Sequence, residues 1–436
     1  MGMTQAWAGN ACQVVDAHQE GGNQSGTVTI AGLTLCKKCN KGARGQDRLH
    51  RILPDLSWKS QSQPLLSPAS ATLLMRPRRF GKSLLMSMLA EFFDISKDSR
   101  ELFGGLKVMN NKRLCEQWMN QYPVVLLSLQ NVKGATFEEA MDCLRKEIAL
   151  VCTRIDPLLD REKLGNRWKF WENNKKRFLA SDRQWSLSCA LYAITHVLHA
   201  QFEKRTIVLV DEYDAPLVCA AEHGYYEEMH SFIGSFLGEA LKTNFHLKFG
   251  IFTGCLRYMP HGLGSGFNNF SCEHLADFDR YASYFGFTQD EVDRLLLDAA
   301  LFPRRQEFRE WYGGYHMSGL EESYCPASVM DYLCDVQDNP DTSPRVYMDY
   351  SLEKNLIEQL TEGDAAFNVD RLMGVQTDID VCIEYNEERL WRKELLSRLL
   401  FAGFLTGAPD YLEEDIHRAG AYMKICIRSG GRSGQA

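Results

Sequence analysis

The chain has 436 residues, too many for one ordinary core and suited to two or three domains. Its 45% hydrophobic and 24% charged content is that of a folding globular protein, and a net charge of −8 excludes a global basic field for nucleic acid, though not a local patch. The 14 cysteines are scattered, which excludes a compact disulfide scaffold and predicts reduced thiols in an intracellular, cytoplasmic or nuclear setting.

Positions 1–70 are rich in Gly, Ser, Gln and Asn, and the stretch at 57–71, SWKSQSQPLLSPASA, reads as a linker. Little order is expected there. From Ala71 the pattern changes. ATLLM is a short apolar strand, RPRRFGKS at 76–83 a loop, and SLLMSMLAEFFD a helix with Leu84, Leu85, Met88, Leu89, Phe92 and Phe93 on one broad face. YPVVLLSLQN at 122–131 predicts a buried strand and TFEEAMDCLRKEIALVCTRI an amphipathic helix. Residues 156–186 are charged and Trp-rich and read as helical. A further helix, SLSCALYAITHVLHAQFEK, precedes the buried strand TIVLVD; the helix YYEEMHSFIGSFLGEALKT precedes the strand FHLKFGIFTG. This alternation predicts an α/β fold with a mostly parallel sheet. After about position 276 the strand runs stop. FTQDEVDRLLLDA is a helix capped by Thr288 with Glu291 three residues on, and the remainder reads as mostly helical with one weak strand in YMKICIRS. No apolar run is long enough to span a bilayer, so no membrane partner is expected.

Gly81-Lys82-Ser83 carries the first chemistry. A glycine loop between strand and helix can wrap phosphates with backbone N–H groups, with Lys82 on the β and γ phosphates and the Ser83 hydroxyl on Mg²⁺. Arg79, Phe80, Gly81, Lys82, Ser83 and Leu84 are the candidate nucleotide contacts. The generic pattern wants glycine where Arg76 stands. The second segment is IVLVDEYD at 207–214, four apolar residues followed by acids. Asp211 is the candidate Mg²⁺ ligand and Glu212 the group that orients or deprotonates the attacking water; the plain alternative is a buried strand ending in solvated acids. In FGIFTGCLR, Thr253 at a strand end and Arg257 beyond it are candidate sensors of the γ-phosphate, against a reading in which Thr-Gly ends a strand and Arg257 is solvated. The basic run Arg76, Arg78, Arg79 either neutralises phosphate or forms a salt-bridged structural cluster. Cys36-x-x-Cys39 lacks two further ligands at a zinc spacing and reads as free thiols. His196 and His199, three apart on a helix, read as surface or packed residues.

RPRRFGKS with LLMSMLAEFF resembles the AAA-ATPase-like family of P-loop proteins. The resemblance continues in order through ELFGGLKV, YPVVLLSL, IVLVDEYDAPL, TGCLR, SGFNN, WYGGY, YCPASVMDYL and, as a late helix, LLFAGFLT, over positions 71–430. It implies an ATP-binding domain of the additional-strand, catalytic-Glu type at 71–275, a helical and winged-helix-like module at 276–436, and Arg76 as the family's own usage. Many relatives add a PD-(D/E)XK nuclease-like domain about where this chain stops, so nuclease activity is not carried over. The family's Asp-Lys-Thr element before the first strand is missing, and Gly313 stands where an acid is usual in WYGGY. The odd N-terminus and the early stop suggest a truncated or mis-assembled gene copy. The expected function is binding of ATP with Mg²⁺ and its hydrolysis to drive a conformational switch on an unknown protein partner or through self-association. The alternatives are a non-hydrolysing nucleotide-gated interaction module or degenerate family copy, and a nucleic-acid-associated mobile-element or nuclease-linked ATPase.

Overall fold

The structure is a computed structural model that describes residues 27–30, 33–36, 70–179, 187–241, 244–255, 270–273, 285–315, 322–345, 347, 377–380, 405–407 and 422–427. The chain divides into two compact units. The first comprises Met1–Leu73, Ser83–Gly254 and Met259–Ser271; the second comprises Leu74–Lys82, Cys255–Tyr258 and Cys272–Ala436.

Within positions 1–70, where little order is expected, the structure describes an antiparallel hairpin, β1 (Thr27–Ile30) with β2 (Leu33–Cys36). Its strands are dense in β-branched residues and flank Ala31-Gly32, which favours pairing despite the polar surroundings. The central sheet is built from β3 (Ser70–Met75), β4 (Val124–Ser128), β5 (Thr206–Asp211), β6 (Leu247–Gly254) and β7 (Phe270–Glu273), in the order β4-β5-β6-β3-β7. β4 pairs parallel with β5, and β5 parallel with β6. β6 therefore lies between β3, the strand that leads into the Gly-Lys-Ser loop, and β5, the strand that ends in Asp211. Every residue of β5 is buried, which is why its sequence is a continuous apolar run rather than an alternation.

Helices of the first unit cover the sheet. α1 (Lys82–Phe93) begins within the Gly-Lys-Ser segment; α2 is Lys112–Trp118, α3 Phe137–Ile155 and α4 Asn166–Leu179. α5 is Ala190–Phe202, α6 Ala215–His223 and α7 Tyr226–Leu241. α3 packs on β4, α5 on β5 and α7 on β6. α3 starts at Thr136, whose side chain accepts from the Glu139 N–H, and its buried positions Ala140, Met141, Leu144, Ile148 and Val151 recur at helical spacing. α2 and α6 are not expected from apolar periodicity. Both are short, and α6 follows a strand by only three residues, with Pro216 in its first turn and Gly224 at φ 80° ending it.

The second unit holds α8 (Gln289–Asp298), α9 (Arg305–Tyr312) and α10 (Pro326–Asp338). α8 begins with the expected capping box between Thr288 and Glu291. Its core joins Leu296, Phe308, Tyr312, Tyr324, Val329 and Tyr332. Strands do not stop at 276, contrary to expectation. β8 (Phe287–Thr288) pairs with β9 (Ser323–Tyr324), and β10 (Thr377–Asp380), β11 (Leu405–Gly407) and β12 (Tyr422–Ile427) form an antiparallel sheet in the order β10-β12-β11. Strands of two to four residues carry too little pattern to be read from sequence. β12 falls in the segment YMKICIRS, where the weak strand is expected, whereas β11 takes the end of LLFAGFLT, expected to be helical. The winged-helix arrangement rests mostly on positions outside the described residues. Among the described residues no helix is long and apolar enough to cross a membrane.

Candidate functional site

The acids of IVLVDEYD emerge at the end of β5. Asp211 is the last residue of that strand and is buried. Register places its neighbour Val210 opposite Phe252 on β6, so the ends of the two parallel strands lie side by side and bring Thr253 next to Asp211. The Thr253 hydroxyl, fully buried, donates to Asp211 Oδ1. Two backbone bonds fix the strand ends: Leu129 N–H donates to Asp211 O at 2.9 Å, and Tyr213 N–H donates to Thr253 O at 3.0 Å. Among the described residues of the first unit, no lysine, arginine or histidine forms an ion pair with Asp211. A buried carboxylate that accepts from a hydroxyl offers the oxygen ligand that a divalent cation favours.

Glu212 follows with φ 52°, in the left-handed region that a non-glycine residue adopts at a cost of roughly 1–2 kcal/mol. The chain turns there from strand to helix. Gly254, after Thr253, is hemmed in: a Cβ on it would come within 2.7 Å of Asp214 Oδ1 and of the Tyr213 ring. The Thr-Gly pair is thus a fitted end of β6.

In the second unit, the loop that follows β3 turns through left-handed residues at Arg79 (φ 66°) and Gly81 (φ 87°). Left-handed residues near a helix start are a means of turning successive N–H groups into one concavity that accepts an anion. Lys82 is buried; its Nζ donates to the carbonyls of Arg76 and Pro77, both at 3.0 Å, and lies 3.2 Å from Cys255 Sγ. The ammonium therefore folds back over its own loop and must exchange carbonyl oxygens for phosphate oxygens if an anion enters. Cys255 was not singled out in the sequence; it follows the Thr-Gly end of β6, and only folding shows its nearness to Lys82. Ser83 is exposed at the second position of α1, and Leu84 beside it is half-buried.

The arginines of the loop have structural partners. Arg76, buried, donates to Met75 O at 2.6 Å and stacks its guanidinium 4.6 Å from the Phe285 ring centroid. Arg79 pairs with Asp331 at 2.5 Å. Phe80 is buried and meets Tyr315 edge to face, with centroids 4.8 Å apart, so its side chain is spent on packing. Arg257 lies outside the described residues, as do Cys36-x-x-Cys39 beyond Cys36.

His196 and His199 pack, and do so with His246. His199 Nδ1 and His246 Nδ1 share a hydrogen bond of 2.8 Å, and the His196 and His246 rings stand 4.7 Å apart edge to face. Burial, then the neighbouring histidines, Arg167 and Arg205, push His246 down to about 4. His196 and His199 are lowered too, burial again first. Among the described residues no group of three or more His, Cys, Asp or Glu is placed to hold a metal ion by protein ligands alone.

The chain is 28% identical over 267 residues to an uncharacterized protein in the vnfD 5′ region of Azotobacter chroococcum mcd 1; the match covers 61% of this chain and 45% of that protein, so the chain spans less than half of the relative's length. No solved structure matches. The sequence model of the family described as Predicted AAA-ATPase matches residues 63–264, a span that includes the Gly-Lys-Ser loop, Asp211, Glu212 and Thr253. Over residues 63–264 the chain is similar to this family.

Proposed function

We propose that this protein binds ATP with Mg²⁺ and hydrolyses it, and that turnover drives a conformational switch. The observation that carries the reading is the buried Asp211–Thr253 pair on adjacent parallel strand ends, with Glu212 next in the chain. Lys82 and the N–H groups around Gly81 hold phosphate oxygens. Ser83 and Asp211 hold Mg²⁺, which when bound neutralises charge on the β and γ phosphates. Glu212 orients and deprotonates the attacking water, and Thr253 positions Asp211. A carboxylate beside the proposed metal-binding acid favours hydrolysis over simple retention of nucleotide, because binding alone has no use for a base. Arg257 is proposed as a sensor of the γ-phosphate on sequence grounds.

The test is ATP turnover by the purified chain with Mg²⁺, beside Lys82→Ala and Glu212→Gln. Loss of nucleotide binding in the first and of turnover with retained binding in the second supports the reading. Binding that depends on Lys82 without turnover in the wild type would instead leave a nucleotide-gated interaction module, and no binding at all would sink both.

A further inference from the structure

Arg79 is an ordinary L-residue held where glycine is at ease, at φ 66°, two residues before Gly81 at φ 87°. Partners far along the sequence in the same unit help to hold it there. Arg79 Nη2 reaches Asp331 Oδ2 on α10 at 2.5 Å, and Nη1 donates to the carbonyl of Tyr347. The Arg79 carbonyl faces Cys325 Sγ, just before α10, at 3.8 Å. Next to it Phe80 is wedged between Tyr315 and Gly286; a Cβ on Gly286 would come within 3.2 Å of the Phe80 ring. The Arg79 and Phe80 side chains are thus anchored to residues far along the sequence in the second unit. Asp331 is partly buried, and burial pushes its carboxyl above the ordinary carboxylate value, with the Arg79 guanidinium pulling it back down.

We propose that Asp331 is a positioning residue for the phosphate loop: through Arg79 it holds residues 76–82 in the nucleotide-binding shape, and so couples α10 to nucleotide affinity. The proposal rests on the reading of 76–83 as a phosphate loop. A loop already in its bound shape gives up less freedom on binding, so losing the anchor weakens nucleotide. Coupling is reciprocal, so nucleotide in the loop must in turn stabilise α10 on the loop. The C-terminal helices then report occupancy of the loop without touching the nucleotide.

The experiment has two arms on the full chain. In the first, amide exchange across residues 76–82 is compared without nucleotide in wild type, Asp331→Asn and Asp331→Glu. Asp331→Asn is expected to speed exchange of this segment about tenfold, leaving α3 and β4 unchanged, and Asp331→Glu to recover most of the protection. In the second, the Kd of a fluorescent ATP analogue with Mg²⁺ is expected to rise about five- to tenfold in Asp331→Asn and to recover in Asp331→Glu. A charge swap, Arg79→Asp with Asp331→Arg, keeps the question open to test if Asp331→Asn is unstable; the double variant should bind better than either single one. Unchanged loop exchange overturns the proposal whatever the affinity does. Faster exchange with unchanged affinity overturns the coupling. If the wild type binds no nucleotide, the phosphate-loop reading fails, and the coupling to affinity fails with it; the exchange arm then shows separately whether Asp331 holds the loop.

Discussion

The Thr253 hydroxyl donates its hydrogen bond to Asp211 Oδ1 from the neighbouring strand, and both groups are buried. A carboxylate in that setting depends on its donor, because a buried acceptor left without one costs about 1–3 kcal/mol. Thr253→Val keeps the shape and removes the donor. It is expected to lower the unfolding free energy by an amount in that range, read as a lower denaturant midpoint with an unchanged slope, and to reduce Mg²⁺-dependent turnover. Thr253→Ser keeps the hydroxyl and should do much less. Equal stability and turnover in Thr253→Val would show that the bond is incidental.

Glu212 separates chemistry from backbone strain. Its φ of 52° is costly for glutamate and easy for glycine. Glu212→Gln, which keeps the strain, is expected to cut ATP turnover by roughly 10²- to 10⁴-fold, the usual worth of a general base, while nucleotide binding persists. Glu212→Gly should lose turnover to the same degree without losing thermal stability. A Glu212→Gly variant that unfolds well below the wild type would mean the side chain has a structural task at the strand end.

Gly254 is required by space. With a Cβ 2.7 Å from Asp214 Oδ1 and the Tyr213 ring, Gly254→Ala must push the β6 end away from the chain that follows β5. Overpacking of this sort costs about 1–3 kcal/mol. Chemical denaturation should show that loss, and turnover should fall with it because Thr253 is the preceding residue.

The histidine cluster gives the protein an acid-sensitive point away from the proposed phosphate chemistry. His246, His199 and His196 are all lowered, His246 to about 4. The folded state therefore binds fewer protons than the unfolded one between the ordinary histidine value of about 6.5 and about 4. The stability is present above the unfolded value and is lost as pH falls through that window. Protonation of both rings would also break the Nδ1–Nδ1 bond, which needs one ring to accept. Thermal melts from pH 7 to 4 should show a falling midpoint, with a shallower fall in His246→Gln. Parallel slopes in the two proteins would remove the cluster as the cause.

Much of the first unit was legible because its elements are long or continuous. The 19-residue α3 repeats its apolar face over five turns and begins at a threonine cap, and β5 is one unbroken apolar run. The order of Gly81-Lys82-Ser83 between strand and helix was readable for the same reason: periodicity changes from strand to helix across it. α6 escaped because nine residues hold little periodicity, although Pro216 and Gly224 mark its two ends. In the second unit, β8 and β9 are pairs of residues, below what any pattern can reveal.

The sequence by itself determined the residue types of the candidate site and their place at strand ends and a helix start. Those follow from local rules, the side-chain period and the backbone freedom of glycine. Only the tertiary structure decided the partners. Thr253 and Asp211 are 42 positions apart and meet because β5 and β6 are parallel neighbours in register. Arg79 and Asp331 are 252 positions apart, and the sequence left open whether the basic run serves phosphate or structure. That choice depends on which acid folding brings within hydrogen-bonding reach, a long-range outcome that no local pattern encodes.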